Sequence, residues 1–137
     1  MQADTKAAPG RKLISSGSEF EAIYNYSRAV VVGNQVMVSG TTGYDYATGE
    51  LPVGAAAQAE KLFGNLEAAL VKAGGSLADT VRVRIYISSP DAYEDVMQAY
   101  ARAFAGVSPA CTTVEAKLFD PAIFVEIDLD AILNARA

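Results

Sequence analysis

Between residues 81 and 88, Val81, Val83, Ile85 and Ile87 alternate with Arg82, Arg84, Tyr86 and Ser88. A period of two puts the aliphatic set on one face of a β-strand and the polar set on the other, so the chain is committed to a sheet with one dry face. The cover for that face is written on either side of the strand. Leu62, Phe63, Leu66, Ala69, Leu70 and Ala73 recur at three- and four-residue steps within residues 55–73, the spacing of one buried helix face, and Gly74-Gly75 ends the run. A second helix is predicted after Ser89-Pro90, a cap and first-turn pair. It carries Tyr93, Val96, Met97, Tyr100 and Phe104 on one side and ends at Gly106.

The rest of the sheet follows from turn chemistry. β-branched runs at 29–32 and 35–39 flank Gly33-Asn34, a dipeptide suited to a two-residue hairpin turn. Residues 41–52, with Asp45 and Thr48-Gly49, read as an exposed excursion. Strands are also predicted at 111–118 and 123–132, joined through Asp120-Pro121, and a short one at 13–15. The order β-β-α-β-α-β-β predicts an α+β fold, a mixed sheet with two helices packed on one face. Residues 12–137 are expected to form a single domain behind a flexible tail over residues 1–11, which have no periodicity.

Two helices leave the second face uncovered, and alternation names its residues. With Val81, Val83 and Ile85 inward, Arg82, Arg84 and Tyr86 point away from the helices. The same rule predicts Glu126, Asp128 and Asp130 there, and Cys111, Thr113, Glu115 and Lys117 if Val114, Ala116 and Leu118 face inward; Met37 and Ser39 join from the hairpin. Such a mixed-sign face suits solvent or an oligomer interface with polar clefts.

Composition removes several function classes. The chain has no histidine, which excludes Ser-His-Asp and Cys-His chemistry, and its one cysteine, Cys111, with carboxylates does not make a zinc site. No glycine-rich phosphate loop is present. No metal or cofactor is expected. A net charge of -5 disfavours nucleic acid and anionic membranes as partners, and no apolar run approaches the roughly 20 residues of a membrane span. The polar first ten residues do not resemble a signal peptide, and the lone thiol suits a reducing compartment, so a cytoplasmic location is expected.

Four stretches are more specific: Tyr26-Ser27-Arg28-Ala29-Val30; Val38-Ser39-Gly40 followed by Thr48-Gly49-Glu50; Ser108-Pro109-Ala110; and Val125-Glu126-Ile127-Asp128. In this order and spacing the chain resembles the Rid (YjgF/YER057c/UK114) superfamily from about residue 14 to 133. The resemblance implies a chorismate-mutase-like subunit, a homotrimer, and three inter-subunit clefts that take a small-molecule ligand. It further implies hydrolysis of a reactive C=N bond with release of ammonia. Asp128 is then the water-positioning catalytic acid/base, and Tyr26, Ser39, Gly40 and Cys111 bind substrate.

In family members that resemble imine and enamine deaminases, the Pro-Ala pair is followed by an arginine that grips the substrate carboxylate. Here Cys111 stands in that place, and Met97 falls near a position that often carries asparagine. A thiol offers one weak donor in place of a charged fork, and losing such a partner at an interface forfeits roughly 2 to 5 kcal/mol. The expectation is therefore a Rid-like hydrolase or deaminase of an imine, enamine or related metabolite other than the standard 2-iminoacid. The alternative is a non-catalytic trimer that binds a metabolite or a protein. Asp128 paired with Arg82 or Arg84, Tyr26 as an interface residue, and Cys111 as a structural thiol are the bland readings of the same residues. Either arginine is also a candidate replacement anchor.

Overall fold

The computed structural model describes residues 10–134. Most of the predicted tail lies outside the described residues, and its last residue, Arg11, already opens a strand. The strands are β1 (Arg11–Ile14), β2 (Ala29–Val32), β3 (Gln35–Thr41), β4 (Thr80–Ile87), β5 (Ala110–Glu115) and β6 (Val125–Ile132). The helices are α1 (Glu19–Tyr24), α2 (Ala55–Ala73) and α3 (Tyr93–Ala103). They form one six-stranded sheet in the order β1-β2-β3-β6-β4-β5, in which only β4 and β5 run parallel. The parallel pair is joined through α3, because a crossover is needed to bring a strand back in the same direction.

The hairpin forms as predicted: Gly33 takes φ 61°, in the region that favours glycine, and joins β2 to β3. α2 spans the predicted residues and ends at Gly74 with φ 101°. Its Leu62, Leu66 and Leu70 are fully buried with Val36, Val83, Ile85, Ile127 and Leu129 of the central strands. Removing each such side chain from water contributes about 1.5 to 3 kcal/mol. α3 begins after a short turn in which the Ser89 hydroxyl accepts the Asp91 N–H, and its Tyr100 and Phe104 rings pack beside Phe63 of α2. Helix α1 was not foreseen: six residues are too few for periodicity, and it is held by the Ser18 cap accepting from Phe20. Among the described residues, no helix is long and apolar enough to cross a membrane.

One facing prediction is corrected. The register pairs Val83 with Cys111, Ile85 with Thr113 and Ile87 with Glu115, while Tyr86 pairs with Val114. Paired residues of parallel strands share a face, so Cys111, Thr113 and Glu115 lie on the helix-bearing side and Val114 on the other. β5 is an edge strand exposed along most of its length, so apolar character does not mark its inward side; Val114 is 43% exposed. The strand also ends at Glu115, leaving Lys117 and Leu118 outside it.

Leu66→Ala is expected to cost about 2 to 5 kcal/mol in urea unfolding, since it empties a fully buried site between helix and sheet. A loss below 1 kcal/mol would mean that α2 is not seated as described.

Candidate functional site

β6 lies between β3 and β4, so Glu126, Asp128 and Asp130 run down the middle of the helix-free face. Across the ladder Asp128 faces Arg84, and Glu126 faces Tyr86. Arg84 donates from Nε to Asp128 Oδ1 at 2.6 Å and from Nη2 to Asp130 Oδ2 at 3.2 Å, and the Tyr86 hydroxyl donates to Asp128 Oδ2 at 2.8 Å. Both oxygens of Asp128 are therefore occupied. The hydrogen bond to Asp128, followed by burial, pushes the Tyr86 hydroxyl's pKa up and keeps it a donor. The ion-pair reading of Asp128 is what the geometry contains, with Arg84 as partner; Arg82 stays exposed.

Glu126 is differently placed. Between Val38 and Thr41 the ladder from β3 to β6 shifts register, and Gly40 sits in that irregularity. A Cβ on Gly40 would run into Glu126 Oε2, so any other residue there would push the carboxylate aside from where it now rests. Glu126 is half-buried, and its side chain has no hydrogen-bond partner among the described residues. Burial pushes its pKa up and the Asp128 charge adds to this, against the pull of Arg28. An unpartnered carboxyl with raised proton affinity is a candidate for proton transfer.

Tyr26, Ser39 and Gly40 gather around Arg28. The Ser39 hydroxyl donates to Ser27 O at 2.7 Å and its N–H to Arg28 O at 2.9 Å, so Ser39 holds the bulge. Tyr26 is 41% exposed, with its ring centroid 5.7 Å from the Arg28 guanidinium. Tyr46, from the loop after β3, lies 5.0 Å from the same group.

Cys111 does not join this cluster. On the opposite face, its Sγ lies 3.7 Å from Thr113 Oγ1, which is 4.0 Å from Met97 Sδ. Burial, followed by the neighbouring Cys111 thiol, pushes the pKa of the Tyr100 hydroxyl up. Beyond Thr113 the gap between β5 and the start of α3 opens into a groove of about 420 Å³, lined by Ile87, Pro90, Tyr93, Thr113, Val114 and Glu115. Its polar lining comes from a carboxylate and hydroxyls, with no cation.

Residues 16–133 match the family described as Endoribonuclease L-PSP. The chain belongs to the Rid superfamily. A Mycobacterium tuberculosis protein described as a member of the YjgF/YER057c/UK114 family is 40% identical, with a TM-score of 0.82 over 90% of this chain and 99% of that one. Protein DfrA of Myxococcus xanthus is 36% identical over 125 residues, 89% of this chain and 95% of the relative. A rat protein named 2-iminobutanoate/2-iminopropanoate deaminase is 30% identical over 123 residues, 89% of this chain and 90% of the relative. The fold described above is thus a Rid subunit, with the chorismate-mutase-like layering of a sheet under helices on one face.

In this Rid chain, sequence reasoning passed over Glu126 in favour of its neighbour two residues on. The signal was present as two carboxylates on one strand face, but which of them is free depends on β4 lying beside β6 with Arg84 opposite Asp128. Arg28 and Glu21 were missed as a pair because α1 was not foreseen.

The raised pKa of Glu126 has a stability consequence. Its folded value lies above the ordinary 4.5, so the fold binds the proton more tightly than the unfolded chain does. That stabilisation is complete below 4.5 and is lost as pH rises through the folded value. Glu126→Gln is expected to be more stable than the parent at neutral pH, with the gap closing below 4.5, read by urea unfolding at both ends. A neutral-pH variant weaker than its parent would show that the ionised carboxylate is stabilising.

Proposed function

We propose that this chain is an imine- or enamine-hydrolysing enzyme of the Rid type. It works as a homotrimer whose clefts join the Glu126 face of one subunit to the Cys111 edge of the next. The observation that carries the reading is Glu126, an unpartnered carboxyl of raised proton affinity held against the bare backbone of Gly40. The rat deaminase's name supplies the reaction class. Glu126 and Cys111 lie on opposite faces of one sheet, so they can line a common cleft only across an interface. The helix-free face also exposes Leu13, Val32, Met37 and Val114 among its charges, a composition suited to subunit contact.

In this mechanism water adds to the carbon of the protonated imine as ionised Glu126 takes a proton from it, giving a neutral carbinolamine. The carboxyl then returns that proton to nitrogen; as the C–N bond breaks, the hydroxyl proton passes to Glu126 and on to solvent, and a carbonyl compound and ammonia leave. Asp128, held by Arg84 and Tyr86, fixes the electrostatic setting and does not hold the water; Tyr26 and the Gly40 peptide shape the cleft. The Cys111 edge and its groove offer no cation, so the preferred substrate is an imine without a carboxylate. No metal or cofactor has a part in these steps, and a reducing cytoplasm is the compartment proposed for the free thiol. The carboxylate-lined face repels a phosphodiester backbone, which argues against RNA as substrate. The clamp on Asp128 favours a second reading, a trimer that binds a metabolite or a protein without turning it over.

Ammonia release is measured from freshly generated 2-iminopropionate, 2-iminobutyrate and a carboxylate-free imine. The native protein is expected to hydrolyse the last, and Glu126→Gln to lose about a hundredfold or more. Cys111→Arg is expected to gain the two anionic substrates. A Glu126→Gln variant at full rate overturns the assignment, and no turnover of any imine leaves the binding reading standing.

A further inference from the structure

The residue before β2 is an arginine that is 3% exposed. A buried guanidinium is costly unless its charge and donors are met, and for Arg28 the charge and the Nε and Nη1 donors are. Nε donates to Glu21 Oε2 at 3.3 Å; Nη1 donates to Gly40 O at 2.6 Å and to Thr41 Oγ1 at 3.1 Å. The Tyr26 and Tyr46 rings lie within 6 Å of its charge, close enough for cation–π attraction.

Glu21 has its own supports: the hydroxyls of Ser15 and Ser16 and the Ser16 N–H all donate to it. Burial raises its pKa, but these bonds and Arg28 outweigh that and hold it low, so the pair is ionised. The pair is also directional. Glu21 is anchored toward residues 15 and 16, while the fork of Arg28 reaches the bulge of β3.

That bulge brings Gly40 against Glu126. Ser39 is tied to the backbone of Ser27 and Arg28, and Gly40 and Thr41 to the Arg28 side chain. Three consecutive residues of β3 are thus fixed from one short segment, and the middle one is where a Cβ would meet Glu126 Oε2.

We propose that Arg28 is the positioning residue of the Glu126 site. It clamps the Ser39–Gly40–Thr41 bulge so that the Gly40 peptide backs the carboxylate, and it sets a fixed positive charge behind that peptide. The inference rests on Glu126 as the proton-handling group and adds what sets its behaviour. The charged and titratable groups around Glu126 are Arg28 behind β3, Asp128 on β6, and Tyr86 and Arg84 on β4. Arg84 is taken up at 2.6 Å by Asp128, whose charge still raises the proton affinity of Glu126, and Arg28 is the cation that pulls it back down.

The test is made on the substrate-free full chain by carbon NMR of the glutamate carboxyls, with Glu126→Gln assigning the resonance. The Glu126 midpoint is expected to move up in Arg28→Gln. In Arg28→Lys, which keeps the charge but not the fork, it stays nearer the native value while the Gly40 and Thr41 amide signals shift. An Arg28→Gln midpoint equal to the native one overturns the proposal. Should that variant fail to fold, the native protein still decides. The Arg28 Nε and Gly40 carbonyl shifts must titrate with the Glu126 midpoint and stop doing so in Glu126→Gln, and their silence would also overturn it. Because no substrate is present, a moved midpoint in a protein that hydrolyses no imine sinks only the enzyme reading. Turnover with an unmoved midpoint sinks only the role of Arg28.

Discussion

β6 holds the two halves of this sheet together. It is hydrogen-bonded to β3 on one side and β4 on the other, and no other strand bridges them. Its alternation is complete: Val125, Ile127, Leu129 and Ala131 close the core under α2, while Glu126, Asp128 and Asp130 populate the open face. The hydrophobic burial that makes the sheet and the carboxylates that give it chemistry are thus odd and even positions of one strand. A shift of its register by one residue would bury the charges and expose the core, so packing energy itself fixes where the acids stand.

The two neighbouring carboxylates divide their work because their surroundings differ. Asp128 meets an arginine and a tyrosine hydroxyl from β4, and its charge is held in place. Glu126 meets a glycine from β3 and a tyrosine whose hydroxyl is turned to Asp128. A glycine in the middle of a strand weakens it, and here the missing side chain is the space in which a carboxyl can gain and lose a proton. The cost is borne by Arg28, which secures a backbone that β-ladder bonds no longer hold.

Much of this was legible in the residues. The hairpin at Gly33, the span of α2 and the facing of β4 and β6 follow from turn chemistry and strong periodicity, because those segments are covered by core and their patterns are enforced. β5 misled because an edge strand is enforced by nothing: Val114 reads as core, yet the register set by the crossover puts it opposite Cys111. The choice between Glu126 and Asp128 was illegible for a different reason. It depends on strand order, a long-range property, and on a bulge whose only mark in the sequence is Gly40.

The central strand is also the last element of the described chain. As a ribosome releases this protein, the β1-β2-β3 meander and the β4-α3-β5 unit emerge first, and neither can pair with the other. α2 can lie on β3 and α3 by then, but the middle of its surface stays open until β6 is in place. Pairings of such sequence separation are slow to form, and half-built sheets with open edges are prone to stick to one another. The sheet therefore stays open in two halves until β6 is made, and that strand, more than any helix, decides when the fold can close.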